Sequence, residues 1–431
     1  MSTILITGAT GFIGSHLAAA LADKGHNIVC AVKNPAAKNL GERFIYISAD
    51  YTRDFDPGIW RVRLTGVDVV INAVGIIREK GLQTFNSLHD RAPRALFSAC
   101  AETDIKVVQI SALGANEEAQ SRYHLSKRSA DNFLLSHASR CVIVQPSLVY
   151  GQGGASTKLL TILASLPVIP LPGTGQQQIQ PIHIDDLTNA IVVLVEQDRY
   201  LGCRVPLVGP EPLSLHHYLS ELRHLMGLGN ATILHVPSTL ISLAAYVAQR
   251  TGKGLLDVET WQMLQRGNVA HPGLTHQLLD RAPRAPRAFV SPWGAAELRM
   301  SALLGWLQPV LRISLAVIWL VAGVVSMGIY PLEESYALLA RIGITGSLAP
   351  IALYSASAMD FAFGIATLFM RRRKFLWLAQ VSLIFVYTVA ITLYLPEFWL
   401  HPFGPLIKNL PILAIIWLLY ELEKDDGLPH R

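Results

Sequence analysis

The chain has 431 residues, 51% hydrophobic and only 16% charged, with a formal net charge of +5 at neutral pH. Such a length accommodates two or three domains, and the balance is too apolar for an ordinary soluble enzyme. The small net charge, with no dense Lys/Arg tract interleaved with aromatics, argues against nucleic acid as a partner. The four cysteines, Cys30, Cys100, Cys141 and Cys203, have no metal-ligand spacing. They read as reduced residues of a cytosolic compartment, and no metal site is expected.

The N-terminus enters its first strand at once, with no basic n-region and no cleavage site. No signal peptide is therefore expected, which places the first part of the chain on the cytoplasmic side. From residue 2 to about 150, short apolar runs at 4–7, 27–32, 44–47, 67–72, 106–111 and 140–146 alternate with amphipathic segments such as 14–24 and 121–138. This alternation predicts an α/β Rossmann-type, doubly wound parallel sheet with helices on both faces. Residues 151–280 carry turn signals at 170–175 and 210–212 and helix candidates at 215–226 and 256–266, and read as a substrate-side lobe. Residues 281–305 open with R-A-P-R-A-P-R-A-F-V-S-P, a Pro/Arg linker that is either a solvated spacer or a contact for anionic lipid head groups.

Four apolar stretches follow, at 313–330, 346–370, 375–395 and 403–420, interrupted only by Asp360 and Lys408. Each is close to the ~20 residues needed to cross a hydrocarbon core. The second part is thus expected to be an all-α four-helix transmembrane bundle over 306–422. Arg371, Arg372, Arg373 and Lys374 separate the second and third stretches, whereas the two opposite loops hold only Arg341 as a basic residue. The positive-inside rule places the basic turn in the cytoplasm. An even number of spans then leaves the N-terminal domain and the tail at 423–431 there too, in a multi-pass protein of the cytoplasmic (inner) membrane. Asp360 and Lys408 form a functional intramembrane pair, or Lys408 lies at the interface and Asp360 is protonated or hydrogen-bonded within the bundle. His401 and Trp399 fit the outer interface better than a metal site.

Residues 2–14 read S-T-I-L-I-T-G-A-T-G-F-I-G, a strand running into a glycine turn that opens a helix. Gly8, Gly11 and Gly14 permit a tight turn and close approach of backbone to a pyrophosphate, whose charge sits at the helix N-terminus. Thr7, Thr10, Phe12 and Ile13 complete the candidate phosphate-binding segment. About 20 residues on, where an acidic residue would hold the ribose of NAD, the chain has Lys33. A cation there suits the 2′-phosphate, so NADP(H) is favoured over NAD(H), the alternative being a solvated lysine. Tyr123 and Lys127 stand four residues apart, on one face of a helix. A phenol must approach neutrality to exchange a proton with a carbonyl oxygen, and a neighbouring ammonium and an oxidised nicotinamide favour the phenolate.

T-G-x-x-G-x-x-G followed by Tyr-x-x-x-Lys resembles the short-chain dehydrogenase/reductase superfamily. The resemblance implies that Tyr123 is the acid/base, that Lys127 also holds the nicotinamide ribose, and that Ser111 hydrogen-bonds the reacting carbonyl. It implies further that Asp50 reaches the adenine, and that Asn72, Ala73, Val74 and Gly75 line the nicotinamide side. These strand-end residues read equally as turn formers. Pro146, which opens P-S-L-V-Y-G, and the later P-I-H-I-D-D-L extend the likeness to the extended and atypical branch and put Pro146 on the cofactor side. Within that branch, I-S-A-L-G-A before Y-H-L-S-K, and M-L-Q-R-G-N-V, are similar to the nucleotide-binding accessory subunit of respiratory complex I. The likeness covers residues 1–280. His89 stands where catalytic members often carry Asn, which puts a copied proton relay in doubt. The final helices, ending H-P-F-G-P-L-I-K-N-L-P, resemble the DoxX-like family.

Three functions fit these expectations. One is a membrane-anchored NAD(P)H-dependent oxidoreductase acting on a carbonyl or alcohol of a lipophilic substrate, at the bilayer. The second is an NADPH-binding scaffold or redox sensor of a membrane redox complex, without turnover. The third is a sugar-nucleotide epimerase or dehydratase with a nucleotide-linked substrate, for which P-G-T-G at 172–175 also speaks.

Overall fold

The computed structural model describes residues 1–37, 40–251, 258–402 and 404–423, and resolves into two compact units, Met1–Ala302 and Leu303–Arg431. Most of the tail at 423–431, and the starts of the segments expected at 256–266 and 403–420, lie outside the described residues.

The first unit is built on a seven-stranded sheet. Strands β1 (Thr3–Thr7), β2 (Asn27–Val32), β3 (Ile45–Ser48), β4 (Val69–Asn72), β5 (Lys106–Ile110) and β6 (Cys141–Pro146) come first in the chain. The strand Arg204–Leu207 joins the far edge beside β6, and it carried no signal in the sequence reading. Across the sheet the order is Arg204–Leu207, β6, β5, β4, β1, β2, β3, with every pairing parallel. The order reverses between β1 and β4, and a parallel sheet opens its ligand crevice at the carboxyl ends of such a switch point.

Alternation along β1 divides the core. Ile4 and Ile6 pack with Leu17 and Leu21 of the helix Phe12–Asp23 and with Ile191 of Ile184–Glu196. Leu5 packs on the other face with Trp60, Leu96 and Leu134. All nine are fully buried, and each such side chain contributes roughly 1.5–3 kcal/mol by leaving water.

A third cluster forms the smaller lobe, where Tyr218, Leu219 and Leu222 of the helix Leu215–Leu225 meet Tyr150 and Phe289. The segment expected to be a solvated spacer is packed onto this unit. Arg281 and the backbone amide of Arg284 hold the buried Asp186, Arg284 pairs with Asp185 at 2.7 Å, and Arg287 binds both oxygens of Glu221. Phe289 stacks on Tyr150 at 4.7 Å between ring centres. The arginines thus answer buried and half-buried carboxylates that pattern reading does not reveal.

Among the described residues three helices are long and apolar enough to cross a membrane: Gly294–Ile329, which starts within the first unit and continues into the second, and Leu348–Phe369 and Lys374–Tyr394 of the second unit. The first begins within the supposed linker. The helix Asn409–Leu422 has 14 residues, shorter than a usual span, and the loop expected after the first stretch contains a further helix, Leu332–Arg341. Glu423 lies 3.5 Å from Arg312 and 3.4 Å from Arg373, so the point midway along the first long helix where its apolar part begins, the basic turn and the end of the last helix meet. Arg341 pairs with Glu397 among the intervening loops. Asp360 is buried, with its Oδ1 lacking a partner among the described residues, and no ion pair there joins it to the exposed Lys408.

A nucleotide cradle and a buried Tyr-Lys-Asp face

The turn after β1 is shaped for close approach. Gly8 takes φ +68°, and a Cβ there would come within 2.8 Å of the Ala73 carbonyl oxygen. A Cβ on Gly14 would fall 2.2 Å from the Gly8 oxygen, so the helix can start against the turn only without a side chain. Gly11 N-caps Phe12–Asp23, and no side chain caps it. The first-turn amides are therefore available to an anion at the positive end of the helix dipole. This bare, glycine-walled helix start fits a dinucleotide pyrophosphate.

The strand-end residues divide by what their side chains do. Thr7 and Tyr51 both donate to Asn72 Oδ1, at 2.7 and 2.8 Å, and Asn72 Nδ2 donates to Gln109 Oε1 at 2.7 Å. Thr7 and Asn72 are thus committed to a buried network that locks β1, β4 and β5 together. At the other end of the crevice Lys33 lies 3.2 Å from Asp50, so the two residues expected to contact different parts of the nucleotide contact each other. Burial alone would raise the Asp50 carboxyl, but hydrogen bonds from Thr52 and Lys33 outweigh it and hold the group below its usual range.

A cavity of about 320 Å³ brings together Gly11, Phe12 and Ile13 from the turn, Ala73, Val74 and Gly75 after β4, Ser111 after β5, Pro146 at the end of β6, and Tyr123 and Lys127. The last two lie on the helix Arg122–His137, capped by the Ser121 hydroxyl, which accepts from the His124 amide. Thr10 is exposed on the turn outside this wall. Met263 and Asn268 close the cavity from the smaller lobe.

Lys127 is almost fully buried, and Nζ donates to the carbonyls of Val74 and Ile110 at 3.1 and 3.0 Å. Burial lowers its pKa to about 8, against the opposing pull of Asp131. Tyr123 departs from the phenolate expectation: burial raises it to about 12, and the charge of Asp131 acts the same way. Proximity to a cation is thus outweighed here by desolvation. His89 is buried and neutral, its pKa pushed down to about 2 by burial and by Lys127. Its Nε2 accepts from the Ile76 amide at 3.0 Å, which makes Nδ1 the donor to Ser126 Oγ, also at 3.0 Å. Its ring meets Tyr123 edge-on at 5.4 Å, so His89 braces the Tyr123 ring and holds the loop after β4.

Two residues escaped the sequence reading. Asp131 is fully buried and accepts the Ser111 hydroxyl hydrogen. The spacing Tyr123, Lys127, Asp131 could have disclosed it, since i, i+4 and i+8 fall on one helical face. His124 is buried against Gly114, with Nε2 lacking a partner among the described residues. No pattern marks it, because Gly114 admits the ring only by being bare.

A parallel sheet with a glycine turn at its switch point and a Tyr-x-x-x-Lys helix beside it defines a nucleotide-binding domain of the short-chain dehydrogenase/reductase kind. Residues 4–202 match the NAD dependent epimerase/dehydratase family, and residues 316–417 match the DoxX-like family. The chain joins an epimerase-like domain to a DoxX-like helical one. It is similar to a ceramide reductase of Caulobacter vibrioides, 29% identical over 217 residues, covering 49% of this chain and 64% of that protein. It is also similar to the mitochondrial NADH dehydrogenase (ubiquinone) 1 alpha subcomplex subunit 9 of Arabidopsis thaliana, 24% identical over 231 residues, 51% of this chain and 56% of that one. The match thus spans less than two thirds of either relative. Among solved structures, a dTDP-glucose 4,6-dehydratase from Bacillus anthracis in complex with NAD superposes with a TM-score of 0.52 at 17% identity, covering 72% of this chain and 99% of that one, a likeness of fold.

Proposed function

We propose that the chain is a membrane-anchored NAD(P)H-dependent reductase of a carbonyl group on a lipophilic substrate, with NADP(H) preferred. The observation that carries this reading is a phenol held protonated at a cavity wall shared with the glycine turn and Lys127. Burial keeps that phenol protonated, as a proton donor to a carbonyl oxygen must be.

A bound reduced nicotinamide would supply hydride to the carbonyl carbon. Tyr123 gives the carbonyl oxygen its proton. Lys127 uses two of its three N–H bonds on Val74 and Ile110, which leaves one for a ribose hydroxyl and fixes the ammonium beside the phenol. Gly8, Gly11, Gly14 and the uncapped helix start would hold the pyrophosphate, Ala73, Val74, Gly75 and Pro146 would border the nicotinamide, and Asp50 and Lys33 would meet the adenosine end. The ceramide reductase relative points to an amide-bearing oxo-lipid as the substrate class. A DoxX-like domain with long apolar helices suits a substrate delivered from a bilayer.

A nucleotide-binding subunit of a membrane redox complex is the second reading, favoured by the complex I relative and by His89, whose two ring nitrogens are spent on bracing. Purified full-length protein in detergent, screened with NADPH against long-chain ketones, oxo-ceramides and quinones, separates the two. The reductase reading expects turnover that Tyr123→Phe lowers by about 10² or more with NADPH affinity nearly intact. Firm NADPH binding with no oxidation by any panel member would favour the subunit.

We further propose four crossings with both ends in the cytoplasm of the inner membrane. The Glu423 contacts with Arg312 and Arg373 support this, since an up-and-down bundle brings those three points to one end. Reporter fusions after Arg431 and within Leu332–Arg341 should fall in opposite compartments; an external signal from the first would remove one crossing.

A further inference from the structure

We infer that Asp131 is a positioning residue which decides, through Ser111, whether the cavity offers a carbonyl ligand a hydroxyl hydrogen; this rests on the reductase reading above. Ser111 lines the cavity and is itself buried, and its hydroxyl is bonded to Asp131 Oδ2, while Asp131 Oδ1 has no partner among the described residues. A hydroxyl has one hydrogen. While Asp131 is a carboxylate, that hydrogen is held by it, and Ser111 Oγ presents only lone pairs to the cavity, which repel a carbonyl oxygen. When Asp131 carries a proton it donates to Ser111 Oγ. The serine hydrogen is then free to turn toward the carbonyl oxygen, beside the hydrogen of Tyr123.

The groups facing Asp131 come from three elements. Lys127 and Tyr123 share its helix. Arg204 approaches from the edge strand, where its Nη2 also holds Asn132 at 2.5 Å. From β5 and its end come Gln109 and Ser111, the Gln109 oxygen being already taken by Asn72. Burial favours the acid form, while the Ser111 hydrogen bond, Lys127, Arg204 and the Gln109 side-chain amide favour the anion; burial prevails and raises Asp131 to about 6. Lys127 and Tyr123 lose their protons only at about 8 and about 12. An ionisation near 6 is therefore separable from theirs. Reduction gains a second donor below it and loses that donor above it.

The test is the pH profile, from 5 to 8, of ketone reduction by full-length protein with NADPH, for wild type, Asp131→Asn and Ser111→Ala. The wild-type kcat should fall by up to about tenfold between pH 5 and 7, as the protonated fraction does, with NADPH affinity flat. In Asp131→Asn the amide donates to Ser111 Oγ at every pH, so the fall near pH 6 should vanish. Ser111→Ala should be slow throughout and lack the same limb. Should Asp131→Asn fail to bind NADPH, Asp131→Glu takes its place and should keep the limb at a displaced midpoint. A limb near pH 6 that is unmoved in the Asp131 variants, or a Ser111→Ala protein with the wild-type rate and profile, overturns the inference and leaves the reductase reading standing. A wild type that oxidises NADPH with no ketone removes the reductase reading, and this inference with it.

Discussion

The crevice along the sheet holds two Lys-Asp pairs, one at each end, and they behave in opposite ways. Lys33 and Asp50 meet at 3.2 Å where the lysine is largely in water, and Asp50 is held below its usual pKa. Lys127 and Asp131 share a buried helical face without a direct bond between them. Lys127 spends its protons on backbone carbonyls, and Asp131 is raised to about 6. Residue types are the same, but burial and partners differ. At Asp50 the hydrogen bonds from Thr52 and the close Lys33 outweigh burial, and at Asp131 the cost of removing charge from water outweighs its partners. An exposed pair suits recognition of a charged nucleotide, while a buried set stores protons near neutral pH, where proton transfer to a substrate is useful.

The sharpest way to break the comparison is to remove the buried cation. Lys127→Ala should lower NADPH-dependent turnover by about 10²–10⁴ and also weaken NADPH binding, because it takes away the group that orders the nicotinamide side. Loss of turnover with unchanged affinity would confine Lys127 to the proton chemistry.

Next in size is the stability cost of Asp131. Its folded pKa lies about two units above the unfolded value of 3.8, so the folded state binds the proton more tightly. Below pH 4 both states are protonated and nothing is lost. Stability falls as pH rises through about 6, ultimately by roughly 3 kcal/mol. The melting temperature of Asp131→Asn should therefore gain on wild type between pH 4 and 7.5. A constant gap would mean that Asp131 is ionised at little cost and the contrast with Asp50 is false.

The smallest effects belong to the exposed pair. Lys33→Glu should turn the nucleotide preference from NADPH toward NADH, by about tenfold in affinity, or 1.4 kcal/mol. Equal binding of both nucleotides by wild type would put Lys33 among ordinary surface lysines. Lys33→Ala should change thermal stability by no more than about 0.5 kcal/mol, the usual scale of a solvated ion pair.

Much of the nucleotide half was legible because its signals are local. A strand of period 2, a bare glycine turn and a helix with Tyr and Lys four apart are each set by near neighbours in sequence. What stayed hidden depends on distant partners. The arginines of 281–287 look like a solvated spacer until Asp186, 95 residues before Arg281, is seen to be buried and in need of them. The strand Arg204–Leu207 is only four residues long and contains Pro206, so it carries little signal of its own, and it pairs along the edge of β6. In the helical half, hydropathy disclosed all four apolar segments, but not that the last forms a helix of only 14 residues, nor the amphipathic helix Leu332–Arg341 in the loop between the first two.

Sequence by itself determined the alternation of the first six strands with helices, the glycine turn and the alignment of Tyr123 with Lys127, since backbone sterics and helical pitch act over a few residues. Only the tertiary structure decided the protonation of the site. Burial is a property of everything packed around a group, and it is the largest cause that raises Tyr123, makes Lys127 a weaker ammonium and holds Asp131 as a carboxyl poised near neutral pH.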